Sequence, residues 1–380
     1  MYLQTKKGSM KICFLCNYPL TDLTADYILR LGNLLNEGNN EVIIIAQTNH
    51  YIYHKALEQE LSILPIKSHE EELTIKATYN LNQSLKMEAP GALFIFNKEN
   101  ISAGVLLKKA ALPEKARLIF WQTEIFSEKN KGFWAGLKKS VWESKMLKRL
   151  DYWIAPLNIG ADIFEDYTSL SKKKLKYLFP NLQLLFNTDV EALKKELKIP
   201  ADETLIGLIE EKKLLDDAIT LINCIAKLRD KGYEVNGVIL LAEGGIYSSK
   251  RLGLYQHAIE KQVEHHIEIL SKEQLNEQAF IHLSDILLVP EPSLFRTLEA
   301  YSAGTLTILP KHPISDLLNE RGDLGLTSKF EAKKLAKQIT EYLDDELFSD
   351  IVSAKSVRKM HEKAIERAYA SSILEILNKA

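Results

Sequence analysis

The stretch SDILLVPEPSLFRTLEAYSAGTLTIL, residues 284–309, decides the fold. Its apolar run DILLVP (285–290) predicts a strand, residues 294–303 predict a helix, and TLTIL (305–309) predicts a second strand. Short apolar runs that are separated by a helix are typical of parallel sheets covered by helices on both faces. The stretch therefore predicts one strand–helix–strand unit of an α/β protein.

The same alternation extends over the rest of the chain. The first series of predicted strands is KICFLC (11–16), EVIIIA (41–46), LSILPI (61–66), ALFIF (92–96), RLIFW (117–121), DYWIAP (151–156) and KYLFP (176–180). After a break over 180–200, the second series adds TLIGLI (204–209), VNGVILLA (235–242) and HIEIL (266–270). Two series predict two doubly wound, Rossmann-like domains, 1–180 and 181–345, and a helical tail, 346–380, that crosses back to the first domain. Ligands bind beyond the carboxyl ends of strands in such sheets, so we expect the site in a cleft between the domains.

The composition is that of a folded protein with few glycines. Of 380 residues, 46% are hydrophobic and 26% charged, which permits a large core and excludes a disordered chain. The 49 basic and 51 acidic residues give a net charge of −2, whereas nucleic-acid binders are usually basic, so we expect no nucleic-acid partner. Glycine is 17 of 380 residues, about 4.5% against the usual 7% or so. A phosphate site on a Gly-rich loop must therefore use few glycines.

The cysteines and the absence of long apolar runs favour the cytoplasm. Cys13, Cys16 and Cys224 are an odd, sparse set, as expected in a reducing compartment. Cys13 and Cys16 form a C-x-x-C motif, but they lie in a predicted buried strand, which favours a structural role over a redox or metal site. No apolar run reaches the roughly 18 residues of a membrane span, and the N-terminal residues show no signal-peptide pattern.

Residues 284–309 resemble the donor-site segment of the retaining GT-B glycosyltransferases of group 1, the glycosyltransferase family 4-like enzymes. Those enzymes carry a strand, a Glu, seven residues, a second Glu, an Ala and then a Gly before the next strand. Here Glu291 and Glu299 enclose seven residues, and Ala300 and Gly304 follow. The resemblance implies a GT-B fold and a nucleotide-sugar donor.

The resemblance covers about residues 180–345. VILLAEGG (238–245) looks like the family's strand with a Gly-x-Gly turn, and 180–200 looks like its interdomain segment. In the first domain the resemblance is limited to the alternation and to WQTEIF (121–126). By resemblance, the second domain binds the nucleotide sugar and the first binds the acceptor.

The residue types at these positions suit a nucleotide sugar. A carboxylate accepts two hydrogen bonds and fits a ribose diol, which is the role implied for Glu299, while Glu291 would lie near the sugar or phosphates. A diphosphate needs cations and helix amides. The candidate donor-binding residues are Lys212, Lys213, Glu243, Gly244, Arg296, Thr297 and Glu299. The candidate catalytic residues are Glu291 and Glu124, and those on the acceptor side are Tyr18 and Gln122. No His/Cys pair has metal-ligand spacing, so we expect neither a metal nor another cofactor.

Residues 129–149, KNKGFWAGLKKSVWESKMLKR, combine seven basic residues with a single acidic one. Basic residues interleaved with Trp and Phe suit an anionic membrane surface. The alternative is a helix that packs on the core and has a solvated basic face. The candidate membrane contacts are Trp134, Lys138, Lys139, Trp142 and Lys145.

The resemblance implies a retaining, hexosyltransferase-type glycosyltransferase that extends a surface polysaccharide or glycolipid. The basic stretch adds the expectation that the protein is cytoplasmic and peripheral on the inner face of the membrane. Three departures from the family leave a non-catalytic GT-B-like subunit, which binds a partner enzyme or glycan, as the alternative. The loop NYPLTDLTAD (17–26) lacks glycine, the turn after residue 209 lacks the family's Arg, and Pro292, which has no N–H, follows Glu291. An epimerase of the same architecture is less favoured, because the sequence does not reveal its acid and base side chains.

Overall fold

The structure is a computed structural model of the chain. It describes residues 10–17, 20–66, 75–123, 145–155, 171–178, 190–197, 199–200, 203–210, 215–241, 249–290, 293–310, 326–344 and 369–377. The chain divides into two compact units, Met1–Leu182 with Lys363–Ala380, and Gln183–Glu362. Each unit has its own parallel sheet with helices between the strands, so the predicted α/β class with two doubly wound sheets is confirmed.

The first unit has seven described strands. They are β1 (Lys11–Cys16), β2 (Glu41–Gln47), β3 (Ser62–Ile66), β4 (Ala92–Ile95), β5 (Arg117–Trp121), β6 (Tyr152–Ala155) and β7 (Leu175–Tyr177). The intervening helices are α1 (Asp22–Glu37), α2 (Tyr51–Glu58), α3 (Ile75–Glu88) and α4 (Ile101–Ala110). All pairings are parallel and the strand order is β3-β2-β1-β4-β5-β6-β7. The order reverses beside β1, as in doubly wound sheets.

Cys13 and Cys16 illustrate how fully β1 is buried. Both are completely inaccessible and unbridged, and their spacing of three residues points them to opposite faces of the strand. Burial raises the pKa of the Cys13 thiol to about 12 and raises that of Cys16 further. The thiolate needed for redox or metal chemistry is therefore disfavoured, which agrees with a structural role.

The C-terminal helix, 369–377, belongs to the first unit. Tyr369, Ile373 and Leu377 recur at intervals of four and are buried, as expected for one face of a helix. The Tyr369 ring lies 6.1 Å from the Trp121 ring between centroids. The chain thus crosses back to the first unit, as the sequence predicts.

The second unit has six described strands. They are β8 (Thr204–Glu210), β9 (Val235–Leu241), β10 (Ile267–Ser271), β11 (Ile286–Leu288), β12 (Leu306–Pro310) and β13 (Leu326–Ser328). Its described helices are α5 (Val190–Glu196), α6 (Asp216–Arg229), α7 (Ser249–Glu260), α8 (Glu277–Leu283), α9 (Leu294–Ala303) and α10 (Ala332–Leu343). The strand order is β10-β9-β8-β11-β12-β13, again all parallel.

Helices cover both faces of this sheet. Ile206 and Leu208 of β8 pack into one cluster with α6 and α10. Gly207 between them faces α8 so closely that an added Cβ would lie 3.0 Å from the Ser284 Cβ and 3.1 Å from the Phe280 ring. This glycine lets α8 pack directly on the first strand of the sheet.

Most differences from the sequence prediction concern short elements. Helix α2 is not predicted because only Ile52 and Ala56 are buried in it, which gives a weak periodic signal. The helix expected over 272–280 begins only at Glu277, since the Asn276 side chain accepts a 2.8 Å bond from the Ala279 amide and caps it. The three-residue β13 is also missed, and the helix expected over 313–320 lies outside the described residues.

Candidate functional site

The carboxyl ends of β8 and β11 form the topological switch point of the second sheet. Strand β8 lies between β9 and β11, and the chain leaves β8 towards β9 but leaves β11 towards β12. The helices that follow these two strands therefore diverge, which opens a crevice where ligands bind in such sheets. The last residue of β8, Glu210, and the first turn of α9 are at this crevice.

Glu210 closes the loop that follows β8. It is buried, and its Oε2 accepts a 2.8 Å hydrogen bond from the Ala218 amide in the first turn of α6. A carboxylate at this place satisfies a free helix amide and complements the positive end of the helix. Leu215, just before α6, has a φ of 59°. Both ends of the segment that carries Lys212 and Lys213 are thus fixed, while the two lysines lie outside the described residues.

Arg296 lies in the first turn of α9 and is paired with Glu277 of α8. Its Nε donates a 2.6 Å hydrogen bond to Glu277 Oε1, and only 8% of Arg296 and 1% of Glu277 are exposed. Lys272, directly after β10, brings its Nζ to 3.8 Å from the other Glu277 oxygen. Neither Glu277 nor Lys272 is a candidate from sequence reasoning. In the sequence, the only indication that these two residues belong to a site is that both follow the predicted strand HIEIL (266–270).

Glu299 lies one turn further along α9 and is completely buried. Its Oε1 lies 2.6 Å from His282 Nε2 and accepts a 2.9 Å bond from Gln278 Nε2. Both partners are on α8, so Glu299 joins the two helices. Because both partners contact the same oxygen, they hold the carboxylate in one orientation between the two helices.

Thr297 is the third predicted site residue on α9. Thr297 is fully buried, and its Oγ1 donates a 2.7 Å bond to the Ser293 carbonyl of the preceding turn. Of the remaining candidates, Tyr18, Glu124, Glu243, Gly244 and Glu291 lie outside the described residues. The structure therefore brings Arg296 and Glu299 together along one helix face against α8.

A row of four carboxamides lies at the corresponding edge of the first sheet. Register pairs Leu15 of β1 with Ile95 of β4, and Ile95 with Phe120 of β5. Two residues further along the chains, Asn17, Asn97 and Gln122 are therefore neighbours, and Gln47 at the end of β2 continues the row beyond Asn17. All four are at most 5% exposed. We call them the carboxamide row; only Gln122 was expected from the sequence.

Two contacts fix the Gln122 end of this row. The Trp153 indole Nε1 donates a 3.1 Å bond to Gln122 Oε1, and the next residue, Thr123, donates from Oγ1 to the Phe96 carbonyl at 3.2 Å. Among the described residues, the buried Asn97 Oδ1 and Asn100 Nδ2 have no hydrogen-bond partner. Buried polar atoms without a partner are costly.

The candidate membrane contacts lie mostly outside the described residues. Of the five candidate membrane contacts only Lys145 is described, and it is exposed; Trp134, Lys138, Lys139 and Trp142 lie outside the described residues. No described helix is long and apolar enough to cross a membrane. Within the described ranges, no three His, Cys, Asp or Glu side chains converge as a metal site.

No protein-family model and no curated protein sequence matches this chain. Solved structures, however, are similar over nearly the whole length. HepE from Anabaena, solved with UDP and glucose, has a TM-score of 0.75 at 13% identity, covering 98% of this chain and 100% of its own. A glycosyltransferase from Rickettsia africae gives 0.73 at 13%, with the same coverage. Sucrose-phosphate synthase from Thermosynechococcus elongatus gives 0.61 at 12%, over 97% and 96%.

These similarities define the class of architecture, because they cover 97 to 98% of this chain. The chain has the GT-B fold, with two Rossmann-like units.

Proposed function

We propose that this protein is a nucleotide-sugar-dependent glycosyltransferase whose second unit binds the donor. The observation that carries the proposal is the presence of Arg296 and Glu299 on one helix that begins at the switch point of the second sheet. The fold adds support, since similar structures were solved with UDP, UDP and glucose, or UDP-glucose bound.

The diphosphate and the ribose of a nucleotide sugar have chemical counterparts at this edge. The amides at the start of α9 and the Arg296 guanidinium suit the diphosphate, with Lys212 and Lys213 as further cations. These groups would stabilise the departing diphosphate electrostatically, and no metal is required for that step. Glu299 would accept from the ribose hydroxyls, oriented by His282 and Gln278.

The finer parts of the proposal come from the family resemblance. They are a retaining, hexosyltransferase-type reaction, a glycan or lipid-linked acceptor bound by the first unit near Tyr18 and Gln122, and a role in surface polysaccharide synthesis. Glu291 and Glu124 are the carboxylates proposed to act closest to the reacting sugar.

Isothermal titration calorimetry with UDP and GDP tests the donor site. We expect one of them to bind the wild-type protein. If that nucleotide is UDP, 2′-deoxy-UDP should bind about tenfold more weakly, because it lacks a hydroxyl for Glu299. In Glu299→Gln the difference between UDP and 2′-deoxy-UDP should shrink. Binding of neither nucleotide by the wild type would contradict the proposal.

A non-catalytic subunit of the same fold is the second candidate. The complete burial of Glu299, with one oxygen engaged by both His282 and Gln278, favours it, because these bonds also give the carboxylate a purely structural role. This candidate predicts a co-purifying partner enzyme and no hydrolysis or transfer with any nucleotide sugar. Turnover by the isolated chain would exclude it, and a change of the sugar without transfer would instead indicate an epimerase.

We also propose that the basic stretch 129–149 contacts an anionic membrane from the cytoplasmic side. Changing Lys138, Lys139 and Lys145 to Glu should abolish sedimentation with vesicles of anionic phospholipid, because each basic residue near the surface contributes about 1 kcal/mol. Wild-type binding should weaken with added salt. As a matched control, the exposed Lys334 and Lys337 of α10 changed to Glu should leave binding intact. Salt-insensitive or absent wild-type binding would contradict this proposal.

A further inference from the structure

One buried carboxylate in the second unit is in contact with two cations. Glu277 Oε1 accepts from Arg296 Nε at 2.6 Å, and Glu277 Oε2 lies 3.8 Å from Lys272 Nζ. Arg296 follows β11 and Lys272 follows β10, so the cations come from the carboxyl ends of two different strands. The three groups together carry one net positive charge.

The position of Arg296 is unfavourable without a further reason. The first turn of a helix carries partial positive charge from its unpaired amides, and it favours acidic side chains over basic ones. A buried charge is also costly unless it is paired. Glu277 offsets both costs for Arg296. A cation and helix amides brought together at a switch point are, however, the arrangement that suits an anionic ligand.

We propose that Glu277 is a positioning residue for donor binding: it fixes the plane of the Arg296 guanidinium towards the diphosphate. This inference rests on the proposed function, because the diphosphate is the anion assigned to Arg296. Glu277 does not contact that anion and, as a negative charge, would repel it. Lys272 balances part of the Glu277 charge.

The test, by calorimetry, is the affinity of Glu277→Ala for UDP, which GDP replaces throughout if GDP is the nucleotide that the wild type binds. Positioning predicts binding about tenfold weaker than in the wild type. The direction is informative, because removal of a nearby negative charge alone would strengthen the binding of an anion. Glu277→Gln keeps an oxygen that can accept from Arg296 Nε, and it should recover most of the affinity. If Glu277→Ala does not fold, Glu277→Asp, which is one methylene shorter, replaces it with the same expectation.

Two controls separate positioning from a general effect on folding. Glu203 forms a comparable part-buried pair with Arg229 in the same unit, so Glu203→Ala should lower the thermal midpoint without changing UDP affinity. In an Arg296→Ala background, Glu277→Ala should cause no further loss, because it acts through Arg296.

The positioning role would be overturned by unchanged or tighter UDP binding in Glu277→Ala, by a further loss in the Arg296→Ala background, or by an equal loss in Glu203→Ala. If the wild type binds UDP and Glu277→Ala binds it equally, only the positioning role fails. If the wild type binds neither UDP nor GDP, the donor-site proposal fails and the positioning role falls with it.

Discussion

Glu299→Ala should lower the free energy of unfolding of the second unit by about 3 to 5 kcal/mol. The substitution removes a completely buried carboxylate and leaves His282 and Gln278 on α8 without their common partner. It also leaves a cavity between α8 and α9, which adds to the cost. Urea unfolding followed by far-ultraviolet circular dichroism measures the effect.

The distribution of tryptophan lets this loss be assigned to one unit. All four tryptophans fall between residues 121 and 153, within the first unit. Their fluorescence should therefore follow the first unit, and its transition should stay where it is in the wild type. Glu331→Ala is the matched control, since that helix-associated Glu pairs with Lys334 at the surface and should give no measurable change. If Glu299→Ala lowered the free energy of unfolding as little as Glu331→Ala, Glu299 would not stabilise the contact between α8 and α9.

Trp153→Ala should lower the free energy of unfolding of the first unit by about 3 to 5 kcal/mol. The indole is completely buried, packs edge-on against Phe120 with 4.7 Å between ring centroids, and donates to Gln122. The substitution thus removes core volume and one donor at the end of the carboxamide row. The remaining tryptophans allow the transition to be followed by fluorescence.

Trp153→Phe separates the two contributions. It keeps an aromatic ring against Phe120 but loses the Nε1 donor, so it should cost about 1 to 3 kcal/mol, less than the alanine substitution. If both substitutions left the free energy of unfolding unchanged, the packing of Trp153 of β6 against Phe120 of β5 would be wrong. If they cost the same, the hydrogen bond to Gln122 would account for the whole effect.

The sequence was sufficient for the fold because buried parallel strands produce a strong local signal. Strands β1 and β5 coincide with their predicted bounds, as does α1 with its face of leucines. In contrast, α2 buries only two residues, and β13 has three residues in all. An element with so few buried residues, or one as short as three residues, leaves almost no pattern in the sequence.

The candidate site was predictable only in part, because contacts between helices leave no periodic pattern. The spacing of Glu291 and Glu299 indicates the helix α9 as part of a site, and Arg296 lies on the same helix. Glu277, as a partner of Arg296, depends on how α8 lies along α9, which is a tertiary property. The carboxamide row likewise depends on strand order, since Asn17 and Asn97 are 80 positions apart in the chain and become neighbours only when β1 pairs with β4.

The carboxamide row has a consequence for how the protein responds to its solution. Asn and Gln side chains carry no charge and do not titrate at ordinary pH, so hydrogen bonds from Asn17, Gln47, Asn97 and Gln122 are indifferent to acid and to ionic strength. The edge of the second sheet carries charged groups instead, Arg296 and Glu277 among them. Added salt should therefore weaken the binding of an anion at the edge of the second sheet and leave hydrogen bonds made by the row unchanged.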